Sequence, residues 1–228
     1  MGGVLVIGVD GCPDGWVAVL LDDGRVDVVH VPAADGLDAL APAGTITAID
    51  IPMWFPQRPP RRSEVAARAL LGPGRASSIF PTPVREAVDA PDHPTANAVS
   101  KRLTGRGVSA QAYALTAKIR EVDAWRHGSA LDVREVHPET SFAVLLRGPA
   151  RHAKKTWSGI GERRRALASV GIDLTPFEAA ALGRAAVDDV VDAAAAAWTA
   201  LRIACGEAIR LPESPEDDAR DAGDVIWV

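Results

Sequence analysis

The stretch Val4-Leu-Val-Ile-Gly-Val-Asp10-Gly-Cys-Pro-Asp-Gly15-Trp-Val-Ala-Val-Leu20-Leu-Asp-Asp-Gly-Arg25-Val-Asp-Val-Val-His30-Val31 decides the fold. Its apolar runs, 4–9, 16–21 and 26–31, are separated by Gly11-Cys12-Pro13-Asp14-Gly15 and by Asp22-Asp23-Gly24, and Asp-Gly between apolar runs is a hairpin signal. Strands joined this tightly run antiparallel, since parallel neighbours need a crossover of roughly a dozen residues or more. Asp35 to Leu40 has room for one or two helical turns, and Thr45-Ile-Thr-Ala-Ile-Asp-Ile51 reads as a buried strand stopped by Pro52. Three meander strands, a crossover and a fourth strand define an α/β beginning.

Outward from there the pattern changes. No convincing strand appears between Pro52 and about Gly128, so residues 53–128 read as a helical insertion, with a short helix from Ser63 to Leu71 and two further helical segments. The second of these, capped by Ser109, carries Val108, Ala112, Leu115, Ile119 and Val122 at four- and three-residue spacing. That inward stripe leaves Gln111, Lys118 and Glu121 on another face. Asp132 to His137 reads as a fifth strand, ended by Pro138, with a helix opening at Glu139. A helix follows over about Gly161–Val170, and Thr175-Pro176-Phe177-Glu178 is a capping box. A long helix runs from Val187 to about Arg210, with Val187, Val190, Val191, Ala194, Trp198 and Leu201 on its apolar face. A last short strand falls at Asp224 to Val228.

With 228 residues, 47% of them apolar and 24% charged, the chain supports one domain with a genuine core and excludes disordered and disulfide-scaffold classes. The net charge of −5 equals the excess of seven acids over two bases from Glu207 to Asp224, an acidic segment that leaves the remainder neutral. Two stretches are basic, Arg58–Arg75 and Arg147–Arg165, and either grip phosphate or form solvated faces. Cys12 and Cys205 are far apart, which fits a reducing compartment, the cytoplasm. The first apolar run ends at Asp10 without a basic leader, and no stretch is long enough for a bilayer, so no membrane partner is expected.

Acids stand where a core would not put them. Asp10 closes the first strand and Asp50 the fourth. If those strands are parallel neighbours, two carboxylates lie side by side, and one takes a proton unless a cation sits between them. A hard divalent ion is the simplest remedy. Asp188, Asp189 and Asp192 add acids to the long helix, with Asp189 and Asp192 sharing a face. A single first-turn acid merely complements the helix dipole, a reading that three in five residues weaken. Glu139 is either a dipole acid or a further ligand.

These residues carry a resemblance. Gly8-Val9-Asp10-Gly11, Ile49-Asp50-Ile51-Pro52, Ser77-Ser78-Ile79-Phe80-Pro81, Lys118-Ile119-Arg120-Glu121-Val122-Asp123, Glu135-Val136-His137-Pro138-Glu139 with Phe142, Lys154-Lys155 with Gly159 and Arg163, and Asp188-Asp189-Val190-Val191-Asp192-Ala193 together are similar to the domain of unknown function family 429, described as predicted ribonuclease H-like nucleases. The resemblance implies an α/β fold with a five-stranded mixed sheet of order 3-2-1-4-5, the first strand central; the helical insertion between strands 4 and 5 departs from a minimal ribonuclease H-like domain. The resemblance also implies a two-metal hydrolase in which Mg²⁺ or Mn²⁺ bridges carboxylates to cut a phosphodiester of DNA or RNA. Matched residue by residue, Asp10, Asp50, Asp189 and Asp192 take the catalytic and metal positions, with Glu139 a further metal ligand. His137 matches a family motif and joins the substrate-binding candidates. The insertion is expected over the cleft, with Gln111, Lys118 and Glu121 facing the metals and Lys154 and Arg163 contacting phosphate. Asp14 reads as a turn residue.

Two rival functions share these features. One is a hydrolase or binding protein that places a small phosphorylated ligand on the same acids, because fold-level analogy does not fix substrate. The other is a sugar-kinase or actin-like phosphotransferase, which needs two such units around a nucleotide where this length holds one.

Overall fold

The structure, a computed structural model, describes residues 3–177, 180–213 and 223–228. Strands β1 (Leu5–Cys12), β2 (Gly15–Asp22) and β3 (Arg25–Val31) form the antiparallel meander. A 3-10 turn at Ala34–Ala39 leads to β4 (Ile46–Ile49), parallel to β1, and β5 (Asp132–Glu135) lies parallel to β4. The sheet order is β3-β2-β1-β4-β5. β4 is shorter than the expected Thr45–Ile51, yet the ladder runs one rung beyond it, where Asp50 N donates to Val9 O at 3.0 Å. Pro52 has no N–H with which to continue.

Between β4 and β5 lie α1 (Arg62–Leu71), α2 (Arg85–Val88), α3 (His93–Thr104), α4 (Ala110–Ala114) and α5 (Thr116–Arg126). The single helix expected after Ser109 is two, and Leu115 at the break is exposed rather than inward. Its stripe serves two cores: Val108 and Ala112 pack with Val84, Ala87 and Ala96, whereas Ile119 and Val122 pack against the sheet. One straight helix could not face both.

After β5 come α6 (Pro138–Leu145), α7 (Trp157–Ala168), a 3-10 turn at Thr175–Phe177 and α8 (Val187–Ala204). α7 begins ahead of the expected Gly161 because Thr156 Oγ1 accepts from Gly159 N at 3.1 Å. Glu178, the last member of the expected capping box, lies outside the described residues. α8 ends before Arg210, and Arg210–Leu211 instead forms β6, antiparallel to β7 (Ile226–Trp227).

Alternation along β1 sorts the sheet into two faces. Ile7 and Val9 join Trp16, Ile49, Ile119, Val122 and Trp125 on one face, so α5 packs there. Val6 and Cys12 join Ala193–Ala197 of α8 and Phe142 of α6 on the other. Gly8 is on this second face, where an added Cβ would fall 1.9 Å from Ala197 N and 2.3 Å from Ala193 O. The backbones of β1 and α8 therefore touch, and the alanine run is what lets them: a larger side chain at either element would hold them apart. Val187, expected on the apolar face of α8, is 60% exposed, because the buried face is carried by the alanines instead.

Candidate metal centre

Parallel pairing places Val9 opposite Ile49, so Asp10 and Asp50 occupy the next rung of adjacent strands and, by alternation, both project toward α8. The close approach at Gly8 brings down the first turns of that helix, and Asp192 completes the group. Ligand-capable oxygens of Asp10, Asp50 and Asp192 lie within 4.8 Å of one another. Asp192 is 1% exposed, and its Oδ1 is buried with no hydrogen-bond partner among the described residues. Its Oδ2 accepts from Lys154 Nζ at 2.5 Å.

Electrostatics follow from the crowding. Burial, then Asp50 and Asp192, hold the Asp10 carboxyl well above the usual carboxylate range, against the pull of Lys154. Burial raises Asp50 as well, although His137 and Lys154 oppose it. Asp192 is pushed up to about 6 by burial despite its lysine. Burial also works against the charge on Lys154, but Asp192, with Asp50 and Asp10, keeps its ammonium firmly protonated. Three acids and one lysine leave an excess of negative charge that a hard dication would neutralise through oxygen ligands. The orphaned Asp192 oxygen fits that role.

The remaining expected residues are distributed around this group. Asp189 sits one turn earlier on α8, and its Oδ2 accepts from Ala186 N at 2.8 Å, the helix-end role that a first-turn acid plays by default. Burial nevertheless raises it. Glu139 is near enough to act on Asp50 and Asp192, but both of its oxygens are taken by Arg163. Arg163 is fully buried, with its other N–H groups on His152 O and Gly159 O, so the expectation that it contacts phosphate is corrected: no face of the guanidinium is open. His137, at the N-cap of α6, keeps Nδ1 buried without a partner among the described residues. Lys154 is at the site, as counter-ion to Asp192.

The insertion is a second correction. Lys118 Nζ donates to Gly15 O at 2.6 Å and lies over the Trp16 ring, and Glu121 accepts from Trp16 Nε1 and Ala34 N. Both residues brace the sheet face opposite α8, because Ile119 and Val122 bind α5 there. Gln111 is exposed on α4, which packs on α3 and α5. None of the three covers the carboxylates.

What the sequence reading passed over is the spacing role of Gly8; a glycine inside a buried strand is the signal for close backbone approach. Among the described residues no helix is long and apolar enough to cross a membrane. Comparison with curated proteins and with solved structures yields no significant match. A family model covers residues 8–217, a span that includes every member of the carboxylate group, and the chain belongs to the family described as protein of unknown function (DUF429).

Proposed function

We propose that this chain is a divalent-metal-dependent phosphodiester hydrolase of ribonuclease H-like type, a nuclease acting on DNA or RNA. The observation that carries the reading is the convergence of Asp10, Asp50 and Asp192 from two strands and a helix, with one buried oxygen left unpartnered. Those three would hold the ion; Asp189 lies one turn earlier on α8, and Glu139 would first have to leave Arg163. Mg²⁺ or Mn²⁺ held by these residues would supply an activated water and charge stabilisation for phosphodiester hydrolysis. The chain's own part is positional: the β1–β4 register fixes two carboxylates, the Gly8 contact fixes the third, and Lys154 balances charge until the ion binds.

The test is a panel of single-stranded, duplex, hybrid and branched nucleic acids incubated with Mg²⁺ or Mn²⁺. Metal-dependent cleavage by the wild type and its loss in Asp10→Asn supports the reading. A clean preparation that binds Mn²⁺ and cuts nothing supports the second reading, a small phosphorylated ligand on the same acids. One observation favours that alternative: four bases of the two basic stretches are engaged internally, Arg61 and Arg163 in buried ion pairs, Arg68 on Ile79 O and Arg75 on Ala150 O.

A further inference from the structure

Two residues beyond Asp10 on β1, the chain forms a second convergence of donors. Cys12, at the end of β1, is buried and free, Asp14 sits in the turn to β2, and His30 lies on β3 opposite Val17. Their ligand atoms lie within 4.8 Å of one another. Asp14 Oδ1 is the hub, 3.2 Å from His30 Nε2 and 3.5 Å from Cys12 Sγ. Two glycines keep the space around it free of side chains. A Cβ on Gly183 would fall 2.8 Å from His30 Nε2 and 2.9 Å from Asp14 Oδ2, and one on Gly15 would fall 3.0 Å from His30 Nε2.

We infer that Cys12, Asp14 and His30 form a site for a borderline transition-metal dication of the zinc type, separate from the carboxylate centre. The donor set is the argument. Thiolate and imidazole favour zinc-like ions over magnesium, whereas an all-oxygen centre suits magnesium and manganese. A thiolate and a carboxylate together carry two negative charges, which one dication neutralises. Binding displaces the Cys12 thiol proton to solvent and takes the neutral imidazole, so the ion enters with release of at least one proton. Arg184 N donates to both Asp14 oxygens at 3.1 Å, orienting the carboxylate, and a carboxylate has lone pairs enough for a metal besides. Three protein ligands leave a fourth position, on the side where Asp14 is 34% exposed.

Cobalt is the probe, because a cobalt–thiolate bond gives a charge-transfer band in the near ultraviolet that an oxygen-only site does not. The full-length chain carrying Cys205→Ser, which removes the exposed thiol, is stripped with chelator and titrated with Co²⁺. One equivalent with the charge-transfer band, bleached by Zn²⁺, is expected. His30→Ala and Asp14→Asn should each weaken cobalt binding by at least about 10–100-fold, the cost of losing even a group that only supports a ligand. Asp10→Asn should leave the band intact, which separates this site from the carboxylate centre. Absence of the band in the parent chain overturns the inference. So does a band of unchanged affinity in folded His30→Ala, a variant at a half-buried edge position that remains decisive even if Cys12→Ser does not fold.

Discussion

Among the described residues the molecule gathers acids in threes at two places, and it treats them oppositely. At the edge beyond β5, Glu64, Glu135 and Asp224 surround Arg61, which pairs with both Glu135 oxygens and lies 3.1 Å from Glu64 Oε1. Every carboxylate there has further donors: Thr82 N and Arg61 N on Glu64, Met53 N on Glu135, and Arg62 N with the Ser63 hydroxyl on Asp224. At the centre of the sheet, Asp10, Asp50 and Asp192 have, among the described residues, no arginine paired with them, one partly exposed lysine on one member, and an Asp192 oxygen with nothing to accept from. A cluster that completes itself is architecture; one left short of positive charge is equipped to receive it. Asp224 teaches the same lesson about the acidic tail segment, since this member is buried and ties β7 to α1.

The sharpest way to break that contrast is to exchange the outcomes of substitution. Asp10→Asn or Asp50→Asn should cost metal-dependent hydrolysis about 10²–10³-fold or more, the scale of losing a preorganised charge-stabilising group. It should also abolish the rise in Tm on adding Mn²⁺, which at a hundredfold excess over Kd corresponds to about 2.7 kcal/mol. Cleavage assays read the first, and calorimetry with and without Mn²⁺ reads the second. Glu135→Gln should leave the Mn²⁺ response intact, and a lost response there would erase the distinction drawn between the clusters.

Next in size, Arg61→Met strands three acids in the interior and should destabilise the fold by about 3–5 kcal/mol, as breaking a buried pair does. Denaturant unfolding near neutral pH measures it. A cost under about 1 kcal/mol would show that Arg61 is not what holds that cluster.

A carboxyl raised in the folded state, as Asp192 is to about 6, contributes stability below its unfolded value of about 3.9 and loses it as pH rises through the folded one. Chelator-treated wild type should therefore lose Tm relative to Asp192→Asn between about pH 4 and 7, by roughly 2–4 °C for each kcal/mol. Saturating Mn²⁺ should remove the difference in slope. A wild-type curve parallel to the variant's throughout would contradict the raised carboxyl.

Smallest is Lys154→Met. With 38% of its side chain exposed, Lys154 contributes no more than about 1 kcal/mol to the metal-free fold, and the loss should shrink further when Mn²⁺ takes over its charge. A larger loss in the metal-bound protein would instead place Lys154 among the groups that hold the loaded site together.

The sequence makes some of this architecture plain and hides the rest for identifiable reasons. The β1–β3 meander is readable because its connections are too short for any other pairing, and β4 because Pro52 ends an apolar run. Asp10 and Asp50 follow directly, being acids at the ends of strands that the topology makes neighbours. The α4–α5 break at Leu115 is hidden because four- and three-residue spacing records an apolar face, not which of two cores each half meets. Lys118 and Glu121 are misread for the same reason, since periodicity gives a shared face without saying which side of the sheet it binds. Arg163 is invisible as a buried residue because its partner Glu139 is far away in sequence. The end of α8 is misplaced because Arg210 and Leu211 form a strand only through pairing with Ile226 and Trp227, a long-range contact without local signature.

The third carboxylate comes from the last long helix, and that has a consequence during synthesis. A nascent polypeptide emerging from the ribosome displays Asp10 and Asp50 early, but the pocket they belong to stays unfinished until α8 has been made and has docked on Gly8. If the centre cuts nucleic acid, the enzyme is born inert beside the ribosome's own RNA and arms itself only on completing its fold.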